Sequence, residues 1–190
     1  AIFDHPMVPL QEIPEGEGSS FLKVEPSVPG KFRWMGTRTL TFTPSGRFPY
    51  GTEVKVTVPA GTVSLDGYSL KQDFAWTFRT ITPEVVSHIP GDGGQWVRLD
   101  SPVRLVFNQA VEESPAKRFL VLTEISPEGR TDELDFSLSR LTSQEIKEEK
   151  LESVADNILV LNPSNRLRPD CTYTVTAKAG LPGREGALGL

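Results

Sequence analysis

One stretch of this 190-residue chain occurs twice, and that repetition constrains the fold more than any other feature of the sequence. Residues 40–48 read Leu-Thr-Phe-Thr-Pro-Ser-Gly-Arg-Phe, and residues 159–167, which lie 119 positions later, read Leu-Val-Leu-Asn-Pro-Ser-Asn-Arg-Leu. The match continues at the same spacing in two further pairs, 52–57 with 171–176 and 60–61 with 179–180. A repeat of this kind predicts two copies of one structural unit along the chain.

A second match indicates that the two copies differ in length. Residues 3–7 match residues 107–111 at a spacing of 104, and the difference between the spacings (119 − 104 = 15) predicts an insertion of that length in the second copy. Residues 142–156 are the only helix-like stretch, and Thr142 with Glu145 fits a capping box. We therefore predict an acidic helical insertion at 142–156. Its acidity suits either a partner site or a solvated face, and we favour the solvated face.

Alternating apolar residues dominate the rest of the chain, as is typical of short strands with one buried face. The 16 glycines and 16 prolines argue against long helices. Phe32 and Trp34, followed after a short turn by Leu40 and Phe42, predict a β-hairpin. The other predicted strands are 52–58, 74–80, 85–89, 97–107, 158–160 and 171–176. Many short strands separated by Pro, Gly and Asn predict an all-β chain of antiparallel sandwiches.

The repeat also predicts the domain limits. We expect a first sandwich over residues 1–81 and a second over 82–190, joined by a short, stiff linker at Ile81, Thr82 and Pro83. The counterparts of strands 85–89 and 97–107 would fall mostly before residue 1, and the counterpart of 74–80 at about 193–199. We therefore expect an excised fragment whose sandwiches each lack a strand, and which self-associates by strand addition at the open edges.

Charge and composition narrow the classes of partner. The net charge of −5 argues against nucleic acid, and no apolar run is long enough for a membrane span. The single cysteine, Cys171, excludes an internal disulfide. No membrane contact by this fragment is expected.

Motifs for catalysis are weak. Ser-x-x-Lys occurs at Ser20–Lys23 and at Ser114–Lys117, but we read Ser20 as the start of a strand and Ser114 as a helix N-cap before Pro115. The only histidines, His5 and His88, are too few for a histidine-based metal cluster, and we expect both to lie at a surface or between domains.

The acidic residues do not form a recognisable site either. Carboxylates cluster at Glu112-Glu113, at Asp132-Glu133 with Asp135, and at Glu148-Glu149, where solvated charge is the ordinary explanation. Asp66 and Asp92 sit in Gly-rich turns, and a weak Ca²⁺ site there is the less favoured alternative. We therefore predict a protein that is not an enzyme, with no catalytic, cofactor-binding or metal-binding residues.

Strand parity predicts where Cys171 and the large aromatic residues lie. Cys171 has the parity of Tyr173 and Val175, so we expect an inward-facing thiol that reacts slowly. Trp34, Trp76 and Phe78 alternate along their strands and are predicted to belong to the core, whereas the sequence does not place Tyr50 and Trp96.

Seven segments, taken in order, resemble the N-terminal bacterial Ig-like domains of bacterial alpha-2-macroglobulin-like proteins. These segments are 3–10, 34–42, 48–52, 58–62, 76–80, 103–111 and 179–186. The resemblance implies two tandem Ig-like β-sandwiches within an exported protein of the periplasm or cell surface that entraps proteases. In that family the reactive parts are a cleaved bait region and, in many members, a thioester within a Cys-x-Glu-Gln motif. Cys171 is followed by Thr172, Tyr173 and Thr174, so the thioester motif is absent, as is a lipid-attachment cysteine near the start.

The leading hypothesis is therefore a non-catalytic scaffold fragment of a protease inhibitor. The implied partners are the rest of the parent polypeptide and, through it, proteases. The alternative is an Ig-like binding or spacer module of another surface protein, such as an adhesin or a polysaccharide-degrading enzyme, which we would expect to expose an aromatic cluster.

Overall fold

The computed structural model describes residues 1–10 and 21–190, and it divides into two compact units. Unit 1 comprises Ala1–Pro49 and Glu53–Thr80, and unit 2 comprises Tyr50–Thr52 and Ile81–Leu190. The described residues are mostly antiparallel strands, which confirms the predicted all-β class. None of their helices has the length and apolar character needed to span a membrane.

The described residues of unit 1 form five strands in two sheets. The strands are β1 (Lys23–Glu25), β2 (Gly30–Met35), β3 (Thr39–Pro44), β4 (Glu53–Val58) and β5 (Phe74–Arg79). One sheet has the order β1-β4-β5, and the other is the hairpin β2-β3, in which Trp34 lies opposite Leu40 and Phe32 opposite Phe42, as predicted. The buried residues between the sheets are Leu22, Trp34, Leu40, Val54, Val56 and Val58.

The predicted aromatic core of unit 1 is only partly correct. Trp34 is 4% exposed, but Trp76 is half-buried and Phe78 is 39% exposed. Phe78 lies opposite Val54 on β4, so it does face the same side of the sheet as the core. Phe78 is exposed because of its position and not its parity. Among the described residues, β5 is the edge strand of its sheet, and the facing sheet has two strands.

Unit 2 contains seven strands in two sheets. They are β6 (Val85–Ile89), β7 (Val103–Phe107), β8 (Leu120–Ile125), β9 (Thr131–Leu134), β10 (Phe136–Ser139), β11 (Ile158–Pro163) and β12 (Thr172–Ala177). The sheet orders are β10-β11-β7-β6 and β12-β8-β9. Residues 97–102, which were expected to belong to β7, form no strand. Phe107, Leu159, Leu161 and Leu181 are at most 1% exposed in the core between the sheets.

The strands follow the repeat in the sequence. Strands β3 and β11 are separated by 119 residues at both ends, and so are β4 and β12. The isolated bridge between Ile2 and Thr39 in unit 1 corresponds to the pairing of Val106 with Ile158 in unit 2, at spacings of 104 and 119. Matched sequence positions therefore hold matched places in the two sandwiches.

The insertion is shorter as a helix than predicted. Helix α2 spans Ser143–Glu149 and begins at Thr142 with the predicted capping box, in which the Thr142 hydroxyl accepts from the Glu145 N–H and the Glu145 side chain accepts from the Thr142 N–H. It ends because Lys150 adopts a left-handed conformation with φ 56°, a usual way to stop a helix. The chain continues through turns to a 3₁₀ helix at Ala155–Asn157.

A second short helix, α1, spans Glu113–Lys117. Its N-cap is Glu112, and that side chain makes no capping hydrogen bond. Ser114 lies inside the first turn, so its predicted role as the N-cap is wrong. Ala116 is fully buried against the core, and this contact fixes the helix.

Leu40 and Leu159 hold equivalent places, are both fully buried, and offer a matched pair for testing the expected division at residue 81. Replacing either by alanine should destabilise its own unit by about 2–5 kcal/mol, because a buried cavity is left behind. Hydrogen exchange followed by mass spectrometry should show lost protection in residues 21–80 for Leu40→Ala and in residues 81–190 for Leu159→Ala. The exposed Val86→Ala is the control. Equal loss of protection throughout the chain in both variants would contradict two separately stable domains.

Candidate functional site

The most extensive polar cluster of unit 2 surrounds Arg140. Its guanidinium donates to the Glu113 carboxylate at 3.1 Å and to the main-chain oxygens of Asp156 at 2.9 Å, Ile158 at 3.2 Å and Val111. One side chain thus holds together the start of α1, the end of the insertion and the start of β11. An arginine can do this because its planar guanidinium presents five donors in a fixed fork.

Two further arginines hold the acidic insertion. Arg104 on β7 donates to Glu149 at 2.7 Å and lies 3.8 Å from Glu145, so α2 is tied to the sheet beneath it. Arg184 donates to Asp156 at 2.7 Å and to Glu112 at 2.5 Å.

Arg184 affects the titration of its partner as well. Its hydrogen bond holds the pKa of Asp156 below the usual value. The acidic stretch is therefore not merely a solvated face, because several of its carboxylates are used in ion pairs within the unit. Most of these pairs are partly exposed, so each contributes little by itself.

A separate cluster joins the buried Glu124 to the half-buried Tyr173 and the largely exposed Arg168. Glu124 on β8 is 3% exposed and lies opposite Tyr173 on β12. The Tyr173 hydroxyl donates to Glu124 Oε2 at 2.6 Å and accepts from the Arg168 main-chain N–H at 2.6 Å. The Arg168 guanidinium donates through Nε, at 2.8 Å, and through Nη2 to Glu124 Oε1.

The electrostatics of this cluster are those of a structural clamp. The hydrogen bonds from Arg168 and then Tyr173 hold the pKa of Glu124 below its usual value. Burial, followed by the bond to Glu124, raises the pKa of Tyr173, so the phenol stays protonated. A carboxylate held ionised and a phenol held neutral are suited to holding two strands together and unsuited to exchanging protons near neutral pH.

Sequence reasoning missed this cluster, although a signal was present. Leu120, Leu122 and Glu124 share one parity along β8, and the two leucines are buried. A glutamate at an inward-facing position is almost never buried without a partner.

The two histidines pair with the aspartates that were assigned to turns. His5 Nδ1 lies 3.3 Å from Asp66 Oδ2, and its ring stacks on Tyr68 at 4.3 Å between centroids. His88 Nδ1 lies 2.9 Å from the carbonyl oxygen of Pro90, which can only accept, so that nitrogen carries the proton. His88 Nε2 lies 3.5 Å from Asp92, which is fully exposed. Neither pair includes a serine, threonine or cysteine side chain.

The other candidate residues from the sequence, the two Ser-x-x-Lys motifs and Cys171, are not brought into a common site in the described residues. Ser114 and Lys117 belong to the five-residue helix α1, and Ser20, of the other Ser-x-x-Lys motif, lies outside the described residues. Cys171 is a free thiol of intermediate exposure, so it is less buried than its parity suggested, and its expected slow reaction stays a prediction. No group of three His, Cys, Asp or Glu side chains in residues 1–10 and 21–190 could hold a metal ion.

Unit 1 contains an apolar groove of about 540 Å³. It is lined by Phe3, Met7, Val58, Leu70, Phe74 and Trp76, with His5 and Tyr68 at its polar side. In unit 2 the most exposed aromatic side chain is that of Trp96, which is 97% exposed and has a left-handed backbone with φ 60°. Neither feature brings together the groups that a covalent reaction requires.

Comparison with models of protein families finds the same family for both units. Residues 2–80 and residues 79–188 each match the model of the bacterial Ig-like domain. The chain belongs to the bacterial Ig-like domain family. Its two-layered antiparallel sheets agree with this assignment.

Two larger proteins are similar in sequence to this chain. The chain is 26% identical over 200 residues to an alpha-2-macroglobulin homolog of Nostoc sp., a match that covers 98% of the chain and 10% of the relative. It is 27% identical over 113 residues to circularly permutated Ras protein 2 of Dictyostelium discoideum, covering 60% of the chain and 3% of the relative. The chain thus spans a tenth or less of the length of these relatives, and the resemblance to alpha-2-macroglobulin-like proteins is confirmed.

The Glu124 clamp predicts how the stability of the second Ig-like unit depends on pH. Because the pKa of Glu124 is lowered on folding, its stabilising effect is fully present above the ordinary pKa of a glutamate. The effect is lost as the pH falls through the lowered pKa of the folded state. Glu124→Gln should cost about 1–3 kcal/mol at pH 7 and should flatten the acid limb of a plot of unfolding free energy against pH, measured by urea titration.

A double variant supplies the control for this prediction. Glu124→Leu alone removes the carboxylate acceptor and leaves the Tyr173 hydroxyl only the Arg168 main-chain oxygen at 3.0 Å, whereas Glu124→Leu with Tyr173→Phe removes both polar groups. The double variant should therefore lose less stability than the single variant. An unchanged acid limb in Glu124→Gln, or equal losses in the single and double variants, would show that the cluster does not act as a clamp.

Proposed function

We propose that this chain is a non-catalytic scaffold of two Ig-like domains within a larger extracytoplasmic protein that inhibits proteases by entrapment. The observation that carries this proposal is the similarity to the alpha-2-macroglobulin homolog, which runs through 98% of the chain and so includes both domains and the insertion. The bait and thioester regions would lie elsewhere in such a protein. The rest of the parent polypeptide is then the direct partner, and proteases are reached only through it.

The polar chemistry of the chain supports a scaffold. The carboxylates of Glu113, Glu149 and Asp156 are held by arginines, and Glu124 is held by Arg168 and Tyr173. Groups used in this way stabilise strands and turns and are not available to activate a water molecule or a nucleophile. We therefore propose that the chain has no enzymatic activity.

A second candidate function is a spacer or binding module in a protein of another kind. The similarity to circularly permutated Ras protein 2 favours this second function, because that relative is not named as a protease inhibitor. Related Ig-like domains would then occur in proteins with other activities. The exposed Trp96 is the residue on which a binding role would depend first.

Protease assays separate these functions. We expect the isolated chain to leave the cleavage of both a protein substrate and a small peptide substrate by an endopeptidase unchanged to within about twofold, because it contains no bait region. The complete product of the parent gene should block cleavage of the protein substrate but allow cleavage of the small peptide. The reason is that small molecules can still reach the active site of an entrapped protease. A complete product without this size discrimination would contradict the inhibitor role, and hydrolysis by the chain itself would contradict the scaffold.

A further inference from the structure

The dipeptide Asp-Gly occurs twice in the chain, at Asp66-Gly67 and at Asp92-Gly93. An aspartate that precedes glycine can react with its own main chain, because no Cβ on the glycine hinders the approach of its nitrogen to the carboxyl group. The reaction requires a main-chain nitrogen that is free of hydrogen bonds and a carboxyl group that can rotate toward it. The two dipeptides differ in both respects, so they provide an internal comparison.

Asp66-Gly67 lies in a turn whose hydrogen bonds engage the glycine nitrogen. The turn begins at Ser64 and ends at Gly67, and the Gly67 N–H donates to the Ser64 carbonyl oxygen at 3.0 Å. The Ser64 N–H donates to the Tyr68 carbonyl oxygen at 2.9 Å, and the Ser64 hydroxyl accepts from the Tyr68 N–H at 3.1 Å. The Asp66 side chain is 49% exposed and lies 3.3 Å from His5. Reaction at Asp66 therefore requires the turn to open first, because the N–H of the fourth residue closes a β-turn.

Asp92-Gly93 takes up different positions in its own turn. That turn begins at Gly91 and ends at Gly94, and the Gly94 N–H donates to the Gly91 carbonyl oxygen at 3.0 Å. Asp92 and Gly93 are its two central residues, and no described residue accepts a hydrogen bond from the Gly93 N–H. The Asp92 side chain is fully exposed, and its distance of 3.5 Å from His88 is too long for a well-formed hydrogen bond. Both requirements of the reaction are therefore met without any opening of the turn.

We propose that Asp92 is a modification site, at which aspartate isomerises spontaneously to isoaspartate through a cyclic succinimide formed with Gly93. The Gly93 nitrogen attacks Asp92 Cγ, so that an N–Cγ bond forms and a Cγ–Oδ bond breaks. The departing oxygen leaves as water, with the proton of the carboxyl group and the proton of the Gly93 N–H. Water then adds to one of the two carbonyl groups of the ring. Opening at Cγ restores aspartate, whereas opening at the main-chain carbonyl leaves Gly93 attached through Cγ, as isoaspartate.

The product changes the main chain of the loop between β6 and β7. Isoaspartate carries the chain through Cβ and Cγ, so the loop becomes longer by one carbon atom and a carboxylate is left directly on Cα. The same loop presents Trp96, which is 97% exposed and lies four residues after Asp92. Isomerisation would therefore alter the exposed surface around Trp96, and Asp92 and Gly93 themselves are exposed and belong to no part of the core.

The test is incubation of the unaltered chain at neutral pH in water enriched in ¹⁸O. Each passage through the succinimide places one heavy oxygen atom in the residue, and electron-transfer fragmentation in the mass spectrometer distinguishes isoaspartate from aspartate. We expect isoaspartate that carries the label to accumulate at Asp92 at least about tenfold faster than at Asp66, because the hydrogen bonds of the second turn must break before Gly67 can react.

The chain unfolded in urea is the matched control, because the sequence is unchanged while both turns are lost. The two rates should then agree to within about twofold, since each aspartate precedes a glycine in an open chain. The variant Asp92→Glu retains the charge but would have to form a larger ring. It should give no isomerised residue at position 92, and its rate at Asp66 should equal that of the unaltered folded chain.

Three results would overturn the proposal. The first is an equal or slower rate at Asp92 than at Asp66 in the folded chain. The second is isoaspartate at Asp92 that carries no label, which would exclude the succinimide. The third is a tenfold preference for Asp92 that persists in urea, which would assign the difference to the neighbouring residues instead of the two turns.

Discussion

Strand β11 is buried on both of its faces, and the arrangement of the second unit depends on this constraint. Leu159 and Leu161 point into the core between the two sheets, and Ile158 and Val160 point to the other side. A strand with two apolar faces is stable only when both faces are covered. Leu141, Ile146, Leu151 and Val154, which lie in or beside the insertion, provide the second cover. The insertion is therefore the outer layer of a sheet and not an appendage.

The first unit shows the alternative to this arrangement. In β3, which is equivalent to β11, the places of Ile158 and Val160 are taken by Thr39 and Thr41. Threonine suits a face that meets water, so β3 needs no additional layer. The second unit thus has both the apolar residues on the outer face of β11 and the insertion that covers them. The first unit has neither at the equivalent positions.

Arginine side chains attach the insertion to the sheet. The few apolar residues of the insertion, Ile146, Leu151 and Val154, are only partly buried. Helix α2 has no buried residue, so its packing alone gives little stability. Arg104 fixes it from the sheet, and Arg140 binds three main-chain oxygens around the insertion. Buried carbonyl groups at the ends of elements need such donors, because no strand or helix pairs with them.

The sequence predicted the strands better than it predicted the polar clusters. Period-two alternation predicted the β2–β3 hairpin and most strand bounds, because a strand with one buried face repeats every two residues. It placed Phe78 in the core, because parity gives the face of a strand but not its distance from the edge of the sheet. Arg140 and Arg184 could not be found from spacing, since Arg140 binds Glu113 at 27 positions and Arg184 binds Glu112 at 72 positions along the chain. The capping box was predictable because its two members lie within one helical turn.

The Glu124 cluster shows how one change in a repeated framework leads to others. Position 54 of the first unit holds a valine, and the equivalent position 173 holds a tyrosine. Valine is buried there without a polar partner, whereas a tyrosine hydroxyl near the core requires an acceptor. Glu124 is that acceptor, and a buried carboxylate in turn requires a cation, which Arg168 provides. Since the first unit holds a buried valine at the equivalent position, the fold itself does not require the tyrosine, and Glu124 and Arg168 answer the demands of its hydroxyl and of the buried carboxylate in turn.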